Sequence, residues 1–383
     1  MLEWAFWILL LLGIYPYALY PILVRLLGAL VGHNVRVDDS HTPTVTVVTA
    51  AFNEASHIED TVRNKLAQDY PPQLLDVLVV SDESSDQTDA IVAAIAADNP
   101  RVRLIRQTPR QGKTSGLNLA MSQVRGEIVV FADANSIYRP DTIRKLVRNF
   151  ADPGVGYVTG KMVYVNPDGS LVGDGCSAFM RYENALRAAE TRVGSVVGVD
   201  GGVDSVRRTL YRPMRQDQLP DFVLPLSVVE QGYRVVYEPE AYLTEDTLTT
   251  QSSEYRMRVR VALRALWALW DKRSLLNPLR SGLFAWQLLS HKLLRYMSFV
   301  PFAAAMVLNW LLLREGPVYV AGAVAQLCFL GFTAAALTGP RRLGQSSFGR
   351  YCFYFALLNW ASAVAFFRFI RGQKQVLWQP RVG

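Results

Sequence analysis

Cysteine and histidine are too scarce in this chain to build most of the thiol and metal sites that its length could carry. There are three cysteines, Cys176, Cys328 and Cys352, an odd number whose spacing suits neither a zinc site nor a disulfide framework. Two of them fall in apolar stretches and read as small buried hydrophobes of a reducing compartment. The four histidines, His33, His41, His57 and His291, are scattered, which argues against a histidine-based metal or catalytic cluster. Internal repeats and low-complexity linkers are missing, and so is a continuous basic run. The net charge is +7, yet many arginines flank apolar stretches, where the positive-inside rule puts them. That pattern points to a membrane surface and to nucleotide phosphates, and away from nucleic acid.

Charge is also missing over long stretches. Half of the 383 residues are hydrophobic. Trp4 to Val24 carries no charged residue, and its length matches the ~20 residues that cross a bilayer as a helix. It lacks the basic start of a signal peptide, so residues 1–31 are expected to form a retained transmembrane helix, with Arg25 on the cytoplasmic side. Residues 281–295 place Gly282, Ala285, Trp286, Leu289 and Leu293 on one helical face. Gln287, Ser290, His291, Lys292 and Arg295 fall mostly elsewhere, the pattern of a helix lying in the membrane interface. Residues 296–371 then hold about three further crossings, Tyr296–Leu313, Val318–Leu337 and Tyr351–Phe367. Arg341, Arg342 and Arg350 place the loop 339–350 inside. Four crossings put the tail outside although it carries Arg368, Arg371, Lys374 and Arg381. Either the last stretch re-enters, or the charge rule fails here.

Residues 43–273 have another character. Thr44–Thr49, Val77–Ser81, Val102–Arg106 and Ile128–Ala132 read as strands of a buried parallel sheet. Ile58–Ala67, Ala90–Ala97 and Ser115–Ser122 between them read as helices. Alternating strand and helix implies an α/β sheet with right-handed crossovers, whose ligands bind at the carboxyl ends of the strands.

Polar groups gather at those ends. Asp133-Ala134-Asn135 follows the fourth strand, and residues two apart at a strand end can turn to one ligand. One would hold a metal or a ribose and the other the metal, Asn135 through its carbonyl oxygen; a plain polar turn is the alternative. Asn53, Glu54 and Asp82 could accept hydrogen bonds from a base or ribose, or cap helices, as is expected of Ser84 to Asp89. Lys113, after Gly112, offers charge to a phosphate or is a solvated surface lysine. Asp221 opens a helix after Pro220, as a catalytic base or as a complement to the helix dipole. Arg256, Arg258, Arg260 and Arg264 precede Trp267 and Trp270. They form either a pyrophosphate clamp or the basic side of an interface helix.

A series of segments carries a resemblance. It begins with Val47-Val48-Thr49-Ala50-Ala51-Phe52-Asn53-Glu54 and Asp69-Tyr70-Pro71. Val79 to Thr88, Gly112-Lys113 and Phe131 to Ser136 follow. Asp200-Gly201-Gly202 with Arg207-Arg208, Pro220-Asp221 and Gly232 to Pro239 complete it. In order and spacing these resemble the membrane-bound family 2 glycosyltransferases, relatives of cellulose, hyaluronan and poly-N-acetylglucosamine synthases. The resemblance implies an α/β GT-A fold, a Rossmann-like mixed sheet, carried on α-helical transmembrane segments with the catalytic domain cytosolic at the cell (inner) membrane. It implies inverting transfer from a UDP-sugar with Mg2+ or Mn2+. Ala50, Glu54 and Asp82 would contact the nucleotide, Asp133 and Asn135 would stand in place of D-x-D, and Lys113 would lie near the donor phosphates. Asp221 would be the general base. The Q-x-x-R-W signature of chain-elongating synthases is replaced by Met257-Arg258-Val259-Arg260-Val261, in which only Arg260 matches; that arginine would hold the pyrophosphate. The expected acceptor is a growing surface polysaccharide, with single-sugar transfer to a lipid-linked acceptor as the alternative. A homo-oligomer or a secretion partner would supply further helices. A third reading, prompted by Asn135, is an inactive nucleotide-binding scaffold of a secretion complex.

Overall fold

The computed structural model describes residues 1–165, 174–246, 251–338 and 346–375. Its centre is a mixed sheet with strand order β3-β2-β1-β4-β7-β6-β8-β5. The strands are β1 (Val45–Ala51), β2 (Leu75–Ser81), β3 (Val102–Arg106), β4 (Ile128–Asp133), β5 (Ile137–Tyr138), β6 (Val155–Val165), β7 (Asp204–Arg207) and β8 (Arg234–Asp246). β1 is buried along its whole length, as its unbroken Val-Thr-Val-Val run demands of a strand covered on both faces. β1, β2, β3 and β4 pair in parallel, β7 pairs antiparallel to both β4 and β6, and β8 runs parallel to β6. The register sets Ala50 beside Asp133 and Ala51 beside Ser81, so the carboxyl ends of β1, β2 and β4 finish level.

The expected strands are all present, and the three expected helices form as α3 (Ile58–Leu66), α4 (Thr88–Asp98) and α5 (Lys113–Met121). α6 (Thr142–Val147), α7 (Asp174–Val193), α8 (Pro220–Glu230) and α9 (Gln251–Asp271) complete the sheet domain.

The apolar segments depart from expectation. Residues 1–31 are two helices, α1 (Leu2–Ile14) and α2 (Leu19–Val31), bent by 58°. Pro16 lacks a backbone N–H and cannot donate to the Leu12 carbonyl, so the helical ladder ends at this turn although Tyr15 keeps helical dihedral angles. Tyr15 and Tyr17 fix the bend through hydrogen bonds to Ser290 and Ser298, each 2.9 Å long. Leu283–Met297 and Phe299–Leu311 form a second bent pair, at 54°. The thirteen residues of Phe299–Leu311 rise about 20 Å, short of a hydrocarbon core of about 30 Å. Among the described residues two helices are long and apolar enough to cross alone, Pro317–Leu337 and Phe348–Ile370, or up to four if each bent pair is one span.

The segment 281–295 is not a helix with its polar face in the interface. Gln287, Ser290 and His291 are buried against the sheet domain. The His291 Nδ1 and the Tyr20 hydroxyl both meet Glu190 Oε1 of α7, at 2.7 and 2.5 Å. Arg295 donates to Glu183 Oε1 at 2.6 Å.

The last helix, Ser347–Ile370, runs beside α9. Arg258 donates to the Tyr354 hydroxyl at 2.5 Å, and the Trp267 ring meets Phe369 edge-on. Beyond it, Trp267 Nε1 donates to the Gln373 carbonyl and Lys374 pairs with Asp217 at 2.6 Å. The tail that four crossings would put outside therefore lies against the sheet domain. Arg341, Arg342 and Arg381 lie outside the described residues. Cys352 is buried, whereas Cys328 is exposed on the apolar helix Pro317–Thr338, contrary to the expectation of burial. The Cys176 side chain is outside the described set.

Tyr20, Glu190 and His291 are all fully or almost fully buried. Breaking a buried ionic cluster by removing one partner costs about 3–5 kcal/mol. Glu190→Ala is expected to lower the melting temperature in detergent strongly, and Glu190→Gln, which keeps the shape, clearly less. An unchanged melting curve for the alanine variant would sink the assignment.

Candidate active site

One cleft of about 460 Å³ opens at the carboxyl ends of β1 and β4 and continues to the helix Ser347–Ile370. Asp133 closes β4 and faces the cleft. Gly112, at φ +89, turns the chain so that Lys113 begins α5. The Lys113 Nζ donates to Asp133 Oδ1 at 2.7 Å and lies 3.8 Å from Asp221 Oδ1, so one ammonium bridges two acids from different elements. Burial works against that charge, but Asp133 and Asp221 outweigh it and hold the ammonium well above its usual range. The helix expected after Pro220 is present, with Asp221 in its first turn.

Two glycines form the floor between the acids. Gly201 and Gly202 have φ of +75° and +70°, a region that side chains with a Cβ avoid. A methyl added at Gly201 would stand 3.0 Å from Asp221 Oδ2, and one at Gly202 3.1 Å from Asp133 Oδ2.

The candidate residues separate by role. Ala50, Glu54, Lys113, Asp133, Asn135, Asp221 and Arg260 all line the cleft. Asn53 and Asp82 do not. Asn53, at φ +55°, accepts from the Ser85 N–H at 2.8 Å and ties the loop after β1 to the loop after β2. Asp82 is buried and accepts from the backbone N–H of Gln111 and of Gly112, both at 2.9 Å, and from the Gln107 amide. Its carboxylate shapes the turn that presents Lys113. Asp86 accepts from the Thr88 N–H at 2.9 Å in a local turn just before α4, whose N-cap residue Gln87 makes no side-chain cap bond, so the capping expected of Ser84 to Asp89 is not made at the cap position itself. Of the basic series, Arg256 is exposed while Arg258, Arg260 and Arg264 line the cleft. Burial alone lowers the Arg260 guanidinium, which meets no acid among the described residues. Buried Arg264, pushed down to about 10 by burial, donates to the Gln218 carbonyl and to Thr114 Oγ1, and so fixes the approach to Pro220-Asp221 against α5.

Several contributors were missed. Thr61 and Lys65 of α3 donate to the carbonyls of Ala134 and Ser136, at 2.7 and 2.5 Å, and hold the turn after Asp133 from behind. Their signal was there: with Ile58 and Val62 they occupy one helical face, which is wholly buried. Glu245 of β8 accepts from the Asn135 amide at 3.1 Å. Arg187 grips Asp200, just before the two glycines, through two contacts of 2.6 Å.

The donor set can be tested against a divalent cation. Among the described residues no cluster of three His, Cys, Asp or Glu could hold a metal alone. Asp133 and Asn135 supply two hard oxygen donors to the cleft. That fits the mode in which a magnesium-like ion takes one or two protein oxygens and completes its shell from substrate phosphates and water.

Two expectations follow. Gly202→Ala and Gly232→Ala both force a side chain to positive φ, at about 1–2 kcal/mol, but only Gly202 has the Asp133 carboxylate within reach, Gly232 having open space. Both variants should lose stability, and only Gly202→Ala should lose nucleotide affinity by calorimetry; equal affinities would remove the floor assignment. Asp204 of β7 is buried, and burial, with the Asp221 charge second, pushes its carboxyl up to about 7. The folded chain then holds a proton that the unfolded chain loses at 3.8, so stability falls as pH rises between those values and levels off above. Melting curves with chelator present should show that slope, and Asp204→Asn should flatten it.

Residues 46–196 match the family model described as Glycosyl transferase family 2. A poly-beta-1,6-N-acetyl-D-glucosamine synthase of Staphylococcus aureus is 26% identical over 223 residues, 57% of this chain and 53% of that protein. The succinoglycan biosynthesis protein ExoO of Rhizobium meliloti is 34% identical over 127 residues, 33% of this chain and 35% of that protein. The chain thus spans about half the length, or less, of these curated relatives. Among solved structures, the mannosyltransferase PcManGT from Pyrobaculum calidifontis, in complex with GDP-Man and Mn2+, superposes with a TM-score of 0.71. It is 24% identical and covers 94% of this chain and 99% of that one, a likeness of fold. The ordered motifs, the mixed sheet and these matches agree: the chain carries a family 2 glycosyltransferase domain on a GT-A scaffold.

Proposed function

We propose that the chain transfers a sugar, with inversion, from a UDP-sugar to a lipid-linked acceptor on the route to a surface polysaccharide. The observation that carries this reading is the single cleft. It brings Asp133, Asn135, Lys113, Asp221 and Arg260 to one end and runs on to Leu358, Ala361 and Ser362 of an apolar helix. The acceptor hydroxyl oxygen attacks C1 of the sugar from the face opposite the diphosphate. Its proton passes to the Asp221 carboxylate. The bond from C1 to the β-phosphate oxygen breaks, and its electron pair leaves with UDP. Lys113 and Arg260 present fixed positive charge to the departing diphosphate, the kind of preorganised stabilisation that often contributes most to catalysis. A divalent cation held by the Asp133 carboxylate and the Asn135 amide oxygen would neutralise further charge on that diphosphate. Ala50 and Glu54, at the end of β1, are the nucleotide-side contacts.

A lipid-linked acceptor is favoured over a free growing polymer by the cleft's course. Helices enough for a polymer channel are not found among the described residues, where at most four spans occur. The apolar helices, and a tail carrying Arg368, Arg371 and Lys374 on the side of the sheet domain, support a cytosolic catalytic domain at the inner membrane. An inactive scaffold is disfavoured, since base, lysine and arginine all converge despite Asn135.

Asp221→Asn is expected to lower transfer by about 10²–10⁴-fold while UDP affinity stays near wild type. A panel of radiolabelled nucleotide sugars in membranes, followed by sizing of the product, would measure it. Turnover retained in the variant would remove Asp221 from the role of base, and long polymer instead of a one-sugar lipid would overturn the acceptor assignment.

A further inference from the structure

We infer that Lys292 holds an anionic phosphate of the acceptor at the membrane end of the cleft. The inference rests on the acceptor reading above and assigns it a residue. Lys292 lines the same cleft as Asp221. Its neighbours are satisfied: Arg187 pairs with Asp200, Arg295 with Glu183 and His291 with Glu190. Lys292 itself makes no hydrogen bond and no ion pair among the described residues. Its Nζ sits 5.8 Å from the ring of Phe222, the residue after Asp221, and a methyl built on Gly198 would collide with it. The nearby acids Glu183 and Glu190 are engaged by Arg295 and His291 and make no direct contact with the ammonium, so holding it in such a recess is costly, and an anionic ligand would offset that cost.

The backbone is also built to deliver it. Leu289–Leu293 is a π-turn within the helix, a rare feature that concentrates at functional sites. Arg260 likewise meets no acid among the described residues, but it comes from α9, in the position where the family resemblance puts the diphosphate contact. Lys292 approaches from a different element, beside Phe222, on the acceptor's side of Asp221. The same cleft is lined by Tyr17 and by Leu358, Ala361 and Ser362 of the last helix, with Arg295 over the Tyr17 ring and Arg258 bonded to that helix at Tyr354. An anion that continues into an apolar chain would use both Lys292 and the apolar side chains of that helix, which a free phosphate would not.

The test uses the full chain in neutral detergent and three soluble probes: farnesyl phosphate, farnesol and inorganic phosphate. Binding is followed by calorimetry, with UDP binding as the control for an intact fold. Farnesyl phosphate is expected to bind at least about tenfold more tightly than farnesol, the scale of one charge-assisted hydrogen bond. Lys292→Met should abolish that difference and Lys292→Arg should keep most of it. Equal binding of farnesyl phosphate and farnesol by the wild type, or an unaltered preference in Lys292→Met, would overturn the inference. Inorganic phosphate binding as tightly as farnesyl phosphate would overturn its lipid part. A Lys292-dependent preference in a protein that shows no sugar transfer would instead leave this site standing and sink the proposed function.

Discussion

A carboxylate buried where the sheet domain meets the apolar helices is the constraint on which the rest of the molecule depends. Glu190 of α7 accepts from Tyr20 of α2 and meets the His291 ring through the same oxygen, and its second oxygen accepts from the Val197 N–H at 3.1 Å. Three elements distant in sequence are thereby fixed to one point, beside the loop that leads to Asp200-Gly201-Gly202. Two turns earlier on α7, burial would raise the Glu183 carboxyl, but Arg295 and His291 hold it well below its usual range. Burying charge in this way contributes little net stability but penalises every alternative arrangement, because a slipped helix would strand an ion.

At the catalytic end the same logic runs with fewer residues. Asp133 and Asp221 come from opposite parts of the chain, and two carboxylates sharing a cleft repel. Lys113 offsets that repulsion, and the acids in turn keep the lysine charged despite its burial. Each component of this triad is itself held from behind: Lys113 by the turn that Asp82 shapes, Asp133 by Thr61 and Lys65, and the Asp221 helix by Arg264. A diphosphate with its cation entering the site would meet charges that are already placed. Little reorganisation would then be needed at the moment of reaction.

Much of this was legible in the sequence, and the failures have physical causes. The strands were readable because a strand buried on both faces must be an unbroken β-branched run. The site was readable because parallel strands deliver their loops to one edge, so Asn53, Glu54, Asp82 and Asp133 had to come near one another. Which of them face a ligand was not readable. The fate of the Asp82 carboxylate is decided by the turn at Gln107 to Gly112, which closes over it. Hydropathy summed across Pro16 and Ser298 hid two bends, since apolar composition says nothing about the direction of a helix axis. Helical spacing misjudged Gln287, Ser290 and His291 because it assumes 3.6 residues per turn, and a π-turn interrupts that spacing at Leu289–Leu293. It also assumes that a polar face seeks water, whereas Gln287 donates to the Ser195 carbonyl, Ser290 meets the Tyr15 hydroxyl and His291 meets Glu190.

The course of the cleft bears on the kind of product. A processive synthase must keep its polymer bound and pass it on, which calls for a tunnel walled by several helices. Here the cleft leads instead along α9 and the helix Ser347–Ile370, which pack side by side through Ala262, Leu266 and Ala365. The tail beyond that helix is clamped back onto the sheet domain by Lys374 and Asp217. A surface of this form would suit the lipid-linked acceptor proposed above, whose apolar chain would lie on it while its polar end reached Asp221. The loss of the glutamine and tryptophan that flank the arginine of chain-elongating relatives is then intelligible. Met257 and Val261 line the cleft beside Arg260, and apolar side chains there offer no hydrogen bonds to an acceptor sugar chain.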